Sequence, residues 1–263
     1  MIGFLLSHDW LNRPGPSYAF KLDHLLFIFI AMAIGVAVAI LLRRCQRKTI
    51  SIVLVSLWAF GVAIELFYYI FLYTLCAIHY EDWVFNISSM LPFHSCSMFI
   101  FVFPVAFFVK NKYVKTAALN FLVIINMIMG FITLFVGCPV PGYSALSFFG
   151  MQTLIYHAII VIVPLIMVVT NYYDVEFYDF KYGLIAFGCL SIFMWIFDAI
   201  SGSDYFYFYD GHTFPVFKFI SENVHHLVWT LLIVSCYIIT GLAMHFLIIG
   251  IKYWISKRQK AVE

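Results

Sequence analysis

Seven mostly apolar stretches, each close to twenty residues long, dominate the sequence: 23–42, 51–75, 90–109, 115–137, 148–170, 182–201 and 226–250. A helix rising about 1.5 Å per residue needs about twenty such residues to cross roughly 30 Å of hydrocarbon, so few folds are open to this chain. Composition closes most of the others. Charged residues make up 11% and aromatic residues 20% of the chain, whereas a soluble domain carries roughly 25% charge and a disordered one lacks aromatics. The expected fold is an all-α, polytopic membrane bundle of seven transmembrane helices. It forms one domain over 1–263, because the longest loop, about 202–224, cannot build a core of its own.

Short basic loops stay on the cytoplasmic side of a membrane. Arg43, Arg44, Arg47, Lys48, Lys110, Lys112, Lys115, Lys181, Lys252, Lys257, Arg258 and Lys260 all fall in alternate segments of the seven-span layout and make up 12 of the 15 basic residues. The amino terminus is therefore expected outside and the carboxyl terminus in the cytoplasm, with the cell membrane as the location. Met1 to Phe20 lacks the basic start, apolar centre and small-residue cleavage site of a signal peptide, so no cleaved leader is expected. A net charge of +2 in scattered clusters leaves no basic face for nucleic acid. Membrane lipid, or a lipid-like substrate, is the expected partner. Six cysteines without CxxC or CxxH spacing point neither to a zinc module nor to a disulfide scaffold, and no cofactor or metal is expected. Cys76 and Cys138, near the outer ends of two spans, could pair. Cys45, Cys189 and Cys236 have no polar company and read as packing residues.

An ionisable group inside a bilayer costs at least about 2.5–3.5 kcal/mol at mid-depth, so such groups mark function. Following the rise of each span places Glu65 about two thirds of the way outward. His94, Ser95, Cys96 and Ser97 lie at the outer start of the third span. Gln152, Thr153, Tyr156 and His157 lie in the outer half of the fifth, Asp198 near the outer end of the sixth, and His226 at the outer start of the seventh. These groups converge in one leaflet and point to a water-accessible pocket opening outward, although Asp198, His225 and His226 lie close enough to the interface to be simply solvated. Asn120 and Asn126 read as hydrogen bonds between helices. Ala31, Gly35 and Ala39, at four-residue spacing, form a small-residue ridge for close helix packing. The run Tyr205 to Tyr209 reads as an interfacial anchor, with a lid over substrate as the alternative.

Pro92 suits the first position of a helix, which would put Cys96 one turn into it. There the helix terminus and a nearby histidine favour the thiolate, the nucleophilic form. His94, two residues away, would point about 200° around a regular helix, so the base is expected from another helix. His157 fits by depth and face, and Glu65 or Asp198 could orient it. His94 or Gln152 could donate to a developing oxyanion, while Gln152, Tyr156, Asp198 and His226 could contact substrate. A zinc site built from His94, His157 and His226 lacks a motif with two ligands on one helical face.

These residues together resemble a known family. The acidic Glu65, then Leu-Pro-Phe-His-Ser-Cys-Ser at 91–97, then Phe-Phe-Gly-Met-Gln-Thr-Leu-Ile-Tyr-His at 148–157 resemble the YwaF-like bacterial integral membrane proteins, as does Asp-Tyr-Phe-Tyr-Phe at 204–208. The resemblance implies a bundle of six or seven helices. The layout is more distantly similar to multi-pass enzymes that transfer or hydrolyse lipid acyl groups with a Cys or Thr and a His on separate helices. It implies that Cys96 and His157 take those places. Lipid acyl transfer is the leading functional expectation. A proton-coupled transporter using Glu65, His94, His157 and Asp198 is the second, and a non-catalytic membrane partner or sensor the third.

Overall fold

Apolar side chains run right round most of these helices instead of along one stripe, and such helices are stable only where both faces meet apolar surroundings. The computed structural model describes residues 20–79, 91–136, 148–209 and 215–260. Among them the order is α1 (Leu22–Leu42), α2 (Arg47–His79), α3 (Phe99–Phe108), α4 (Lys112–Asn120), a π-helical stretch (Phe121–Asn126), α5 (Met127–Val136), α6 (Phe148–Val169), a short 3-10 turn (Phe177–Asp179), α7 (Phe180–Ser201), α8 (Pro215–Asn223) and α9 (His226–Lys260). Among the described residues six helical segments are long and apolar enough to cross a membrane: Leu22–Leu42, Arg47–Phe71, Lys112–Phe135, Gly150–Val169, Phe177–Ser201 and His226–Trp254.

Those six divide into centre and periphery. About 61% of the residues in the apolar windows of Lys112–Phe135 and Gly150–Val169 are buried inside the protein, against 22–28% in the other four. The rod α4–α5 and helix α6 are therefore the core around which the rest pack. The peripheral helices turn large apolar side chains outward, among them Phe29, Leu41 and Ile200. So much outward apolar surface is foreign to soluble monomers and matches acyl chains. The small-residue ridge works as expected: a Cβ on Gly35 would lie 2.5 Å from Ile162 of α6, so only glycine lets α1 approach this closely.

The third expected span, 90–109, is different. Its helix covers only ten residues, Phe99–Phe108, or about 15 Å, half the hydrocarbon thickness. The seven expected long helices thus appear, among the described residues, as six long ones and one short one. Residues 91–98 turn instead of continuing the helix, and Cys96 precedes α3 by three residues instead of lying in its first turn. The reason lies in the partners of the backbone. Asn126 at the end of the π-helical stretch donates through Nδ2 to the carbonyls of Ser95 (3.2 Å) and Cys96 (2.9 Å), and the Cys96 carbonyl also accepts from the Phe99 amide at 3.2 Å.

Basic residues of several elements meet aromatic and acidic partners at one end of the bundle. Arg47 donates to the Tyr172 carbonyl at 2.9 Å and lies over the Tyr172 ring; Phe107 stacks on that same ring, Tyr113 touches Tyr182, and Lys252 pairs with Asp174. Tyr173 accepts from Asn120 at 3.1 Å and donates to Asp179 at 2.9 Å. Burial, with help from Asp179, pushes the Tyr173 hydroxyl far above its ordinary pKa, so it remains a donor. His245 closes the same end through Phe177. At the opposite end, Leu91 and His94 meet Tyr205, so the segment 91–108 links the two ends although only part of it is helical.

Candidate functional site

The site is built around the turn 91–98, and every polar handle of that turn is held by another element. The Leu91 amide donates to the Tyr205 hydroxyl at 2.8 Å. His94 Nδ1 lies 3.2 Å from the Tyr205 carbonyl, the Ser95 hydroxyl accepts from Tyr237 at 2.9 Å, and Asn126 holds the carbonyls of Ser95 and Cys96. Cys96 is half-buried. Residues 94–98 close one turn ahead of α3, with the Met98 amide donating to the His94 carbonyl at 3.2 Å.

His157 lies on α6, where Thr153 sits one turn earlier. Its Nδ1 is 2.7 Å from the Thr153 carbonyl. A carbonyl only accepts, so Nδ1 carries the proton and Nε2 of the neutral ring presents a lone pair. That Nε2 is buried and has no hydrogen-bond partner among the described residues. The imidazole is thus oriented by a backbone carbonyl. Glu65, expected behind it, instead accepts from Gln152 Nε2, and Thr153 donates to Gln152 Oε1 at 3.2 Å. Glu65 therefore ties α2 to α6.

His94 follows the same logic. Its Nδ1 donates to the Tyr205 carbonyl, so that N–H is already engaged and not free for the oxyanion. His94 and His157 lie within electrostatic range of each other, and Tyr156 lies within range of both Cys96 and Glu65. Glu65 of α2 thus meets α6 one turn from His157 and next to the Tyr156–His157 pair, while Asn126 ties the turn before α3 to the rod α4–α5. Gly61, one turn before Glu65, packs on Tyr156, Ile159 and Phe99.

Three buried polar atoms there lack a partner among the described residues: His157 Nε2, Tyr156 Oη and Asn126 Oδ1. A buried polar group left unpaired costs about 1–3 kcal/mol. A family model described as the TMEM164 family, a family of membrane proteins, matches residues 19–248 of this chain.

The chain belongs to the TMEM164 family. No curated protein and no solved structure matches it. In this TMEM164 family member the YwaF-like resemblance finds no support beyond the shared class of multi-pass membrane protein.

Asp198 is not solvated: it is 1% exposed and accepts from the Ser203 hydroxyl at 2.6 Å and the Tyr205 amide at 3.1 Å. It therefore shapes the loop that clasps the 91–98 turn. The aromatic run is not an interfacial anchor. Tyr205, Phe206 and Phe208 are almost wholly buried, while the carbonyls of Tyr207 and Phe208 accept from Trp229 and Thr230 of α9 at 2.9 Å. His226 is exposed and stacks on Tyr209; His225 is exposed as expected. Cys45, Cys189 and Cys236 face outward instead of packing inside. The Cys76–Cys138 pairing involves residue 138, which lies outside the described residues. Among the described residues no three His, Cys, Asp or Glu side chains gather as a metal-binding group.

Tyr237 and Asn126 were not singled out from sequence as site residues. Asn126 carried a signal, an amide amid an apolar run, but its bonds to the carbonyls beside a thiol depend on the π-helical stretch that aims it. Tyr237 stands among other polar residues of α9, and nothing local sets it apart.

Proposed function

We propose that this protein is a lipid acyl-transfer enzyme in which Cys96 is the nucleophile and His157 the general base. The observation that carries this reading is the His157 tautomer, with Nδ1 spent on the Thr153 carbonyl and Nε2 bare and buried. This is the protonation state a base needs to take a thiol proton. In the first step the Cys96 proton moves to His157 Nε2 and a sulfur–carbon bond forms at an ester carbonyl. The ester carbon–oxygen bond then breaks, and His157 returns the proton to the departing oxygen. An acceptor hydroxyl reverses these steps on the thioester. Glu65 and Gln152 hold α2 against α6 beside the base, Asp198 acts through Tyr205, and Tyr156 touches substrate. His226, exposed beside Tyr209, contacts a substrate head group at the rim.

The layout that accompanies this reading has seven passes of the cell membrane, the segment 91–108 being one of them, with the amino terminus outside. The basic residues that meet their partners at one end favour it. The site then lies in the outer leaflet, where a lipid ester enters sideways from the bilayer.

Reconstituted protein supplied with a radiolabelled acyl ester in phosphatidylcholine vesicles should acquire a hydroxylamine-labile label that Cys96→Ala abolishes and Cys236→Ala keeps. Solute uptake that survives Cys96→Ala, with no acyl label on the wild type, would point to transport instead.

A further inference from the structure

Stabilising an oxyanion needs a hydrogen-bond donor beside the attacked carbonyl, and most of the polar side chains around the 91–98 turn already donate to another group. His94 Nδ1 serves the Tyr205 carbonyl, Gln152 Nε2 serves Glu65, Tyr237 serves Ser95, and Asn126 Nδ2 serves two carbonyls. Tyr156 is the exception. It is 1% exposed, its hydroxyl has no well-formed hydrogen bond, and it lies within electrostatic range of Cys96 and beside Ser97. It also immediately precedes His157, so one turn of α6 carries both groups. A buried hydroxyl facing Ser97, the residue after Cys96, and making no well-formed hydrogen bond is a donor in waiting.

We propose that the Tyr156 hydroxyl is the catalytic donor to the oxyanion formed when Cys96 attacks an ester carbonyl. As the sulfur–carbon bond forms, the carbonyl π electrons move to oxygen, and the Tyr156 O–H donates to that oxygen while keeping its own proton. When the intermediate collapses, the carbonyl re-forms, the leaving oxygen takes the proton from His157, and Tyr156 is released unchanged. The inference rests on the acyl-transfer reading above and adds a catalytic group to it.

The test uses the full chain in phosphatidylcholine vesicles with 4-methylumbelliferyl palmitate as probe, lysophosphatidylcholine as the acceptor hydroxyl, and iodoacetamide as a second reagent. Alkylation needs the thiolate but forms no oxyanion, so it separates stabilisation from positioning. Tyr156→Phe should lower kcat about a hundredfold, with KM and the Cys96 alkylation rate each within about twofold of wild type. Ser97→Ala should keep kcat within about threefold. A Tyr156→Phe protein with near-normal kcat, an alkylation rate that falls in parallel with kcat, or a hundredfold loss in Ser97→Ala would each overturn the assignment. If turnover depends on Cys96 but not on Tyr156, only this inference falls; if the wild type leaves the probe intact, or Cys96→Ala turns it over, the acyl-transfer reading falls as well.

Discussion

Exposed carboxylates pair with lysines at both ends of the bundle, Asp174 with Lys252 and Glu222 with Lys218, but one end also buries carboxylates. At the basic end, Asp174 is 77% exposed by side chain and pairs with Lys252, and Asp179 takes a proton donor from Tyr173 beside exposed turns. At the other end Glu65 and Asp198 are buried, and their described partners are neutral: an amide for Glu65, a hydroxyl and a backbone N–H for Asp198. Both ends leave buried atoms unpartnered, Asn120 Oδ1 and His245 Nδ1 at the first and Asn126 Oδ1, Tyr156 Oη and His157 Nε2 at the second. Only at the second do two of them, Tyr156 Oη and His157 Nε2, come from neighbouring residues of one helix. The difference is that one end keeps its carboxylates at the surface, whereas the other also buries two of them against neutral donors.

The contrast can be broken by substitution. Cys96→Ala should have the largest effect, a loss of at least about a thousandfold in acyl-label formation, read by scintillation after hydroxylamine treatment, while thermal stability changes little. Asp198→Ala should come next. It strands the Tyr205 amide in a buried loop and leaves the Ser203 hydroxyl only Ser201, a loss of about 1–3 kcal/mol, measured as a lower midpoint in a detergent melt. Asn126→Ala removes the donor to two carbonyls of the 91–98 turn, and the melt should show about 1–3 kcal/mol lost together with slower Cys96 alkylation. At the opposite end, Asp174→Ala should cost less than about 1 kcal/mol, because its ion pair is exposed. If Asp174→Ala and Asp198→Ala prove equally harmful, the distinction between the two ends is lost.

Much of the fold is legible in the sequence because hydrocarbon thickness imposes a length that apolar runs must meet. The six long helices follow from this, and the Gly35 ridge follows from spacing. The third span could not be read the same way. Its apolar composition is adequate, but Asn126, thirty residues further on, draws the carbonyls of Ser95 and Cys96 into tertiary bonds, and no local pattern announces that. The run Tyr205 to Tyr209 was misleading for a related reason: aromatic residues at a helix end suit an interface equally well as a buried clasp, and burial decides between them. For the site, residue type and depth select Glu65, Cys96, Gln152, Tyr156 and His157. They do not assign partners, so the Thr153 carbonyl in place of Glu65 behind His157, and the Tyr205 carbonyl on His94, emerge only in three dimensions.

The account depends on His157 serving Cys96 across the gap between α6 and the turn before α3. The most direct measurement is the rate at which the radiolabelled acyl ester labels Cys96 in wild type, His157→Ala and Leu134→Ala, the last perturbing a buried core position away from the thiol. The account predicts labelling at least about a hundredfold slower in His157→Ala and close to wild type in Leu134→Ala. Equal labelling rates in all three proteins would contradict it.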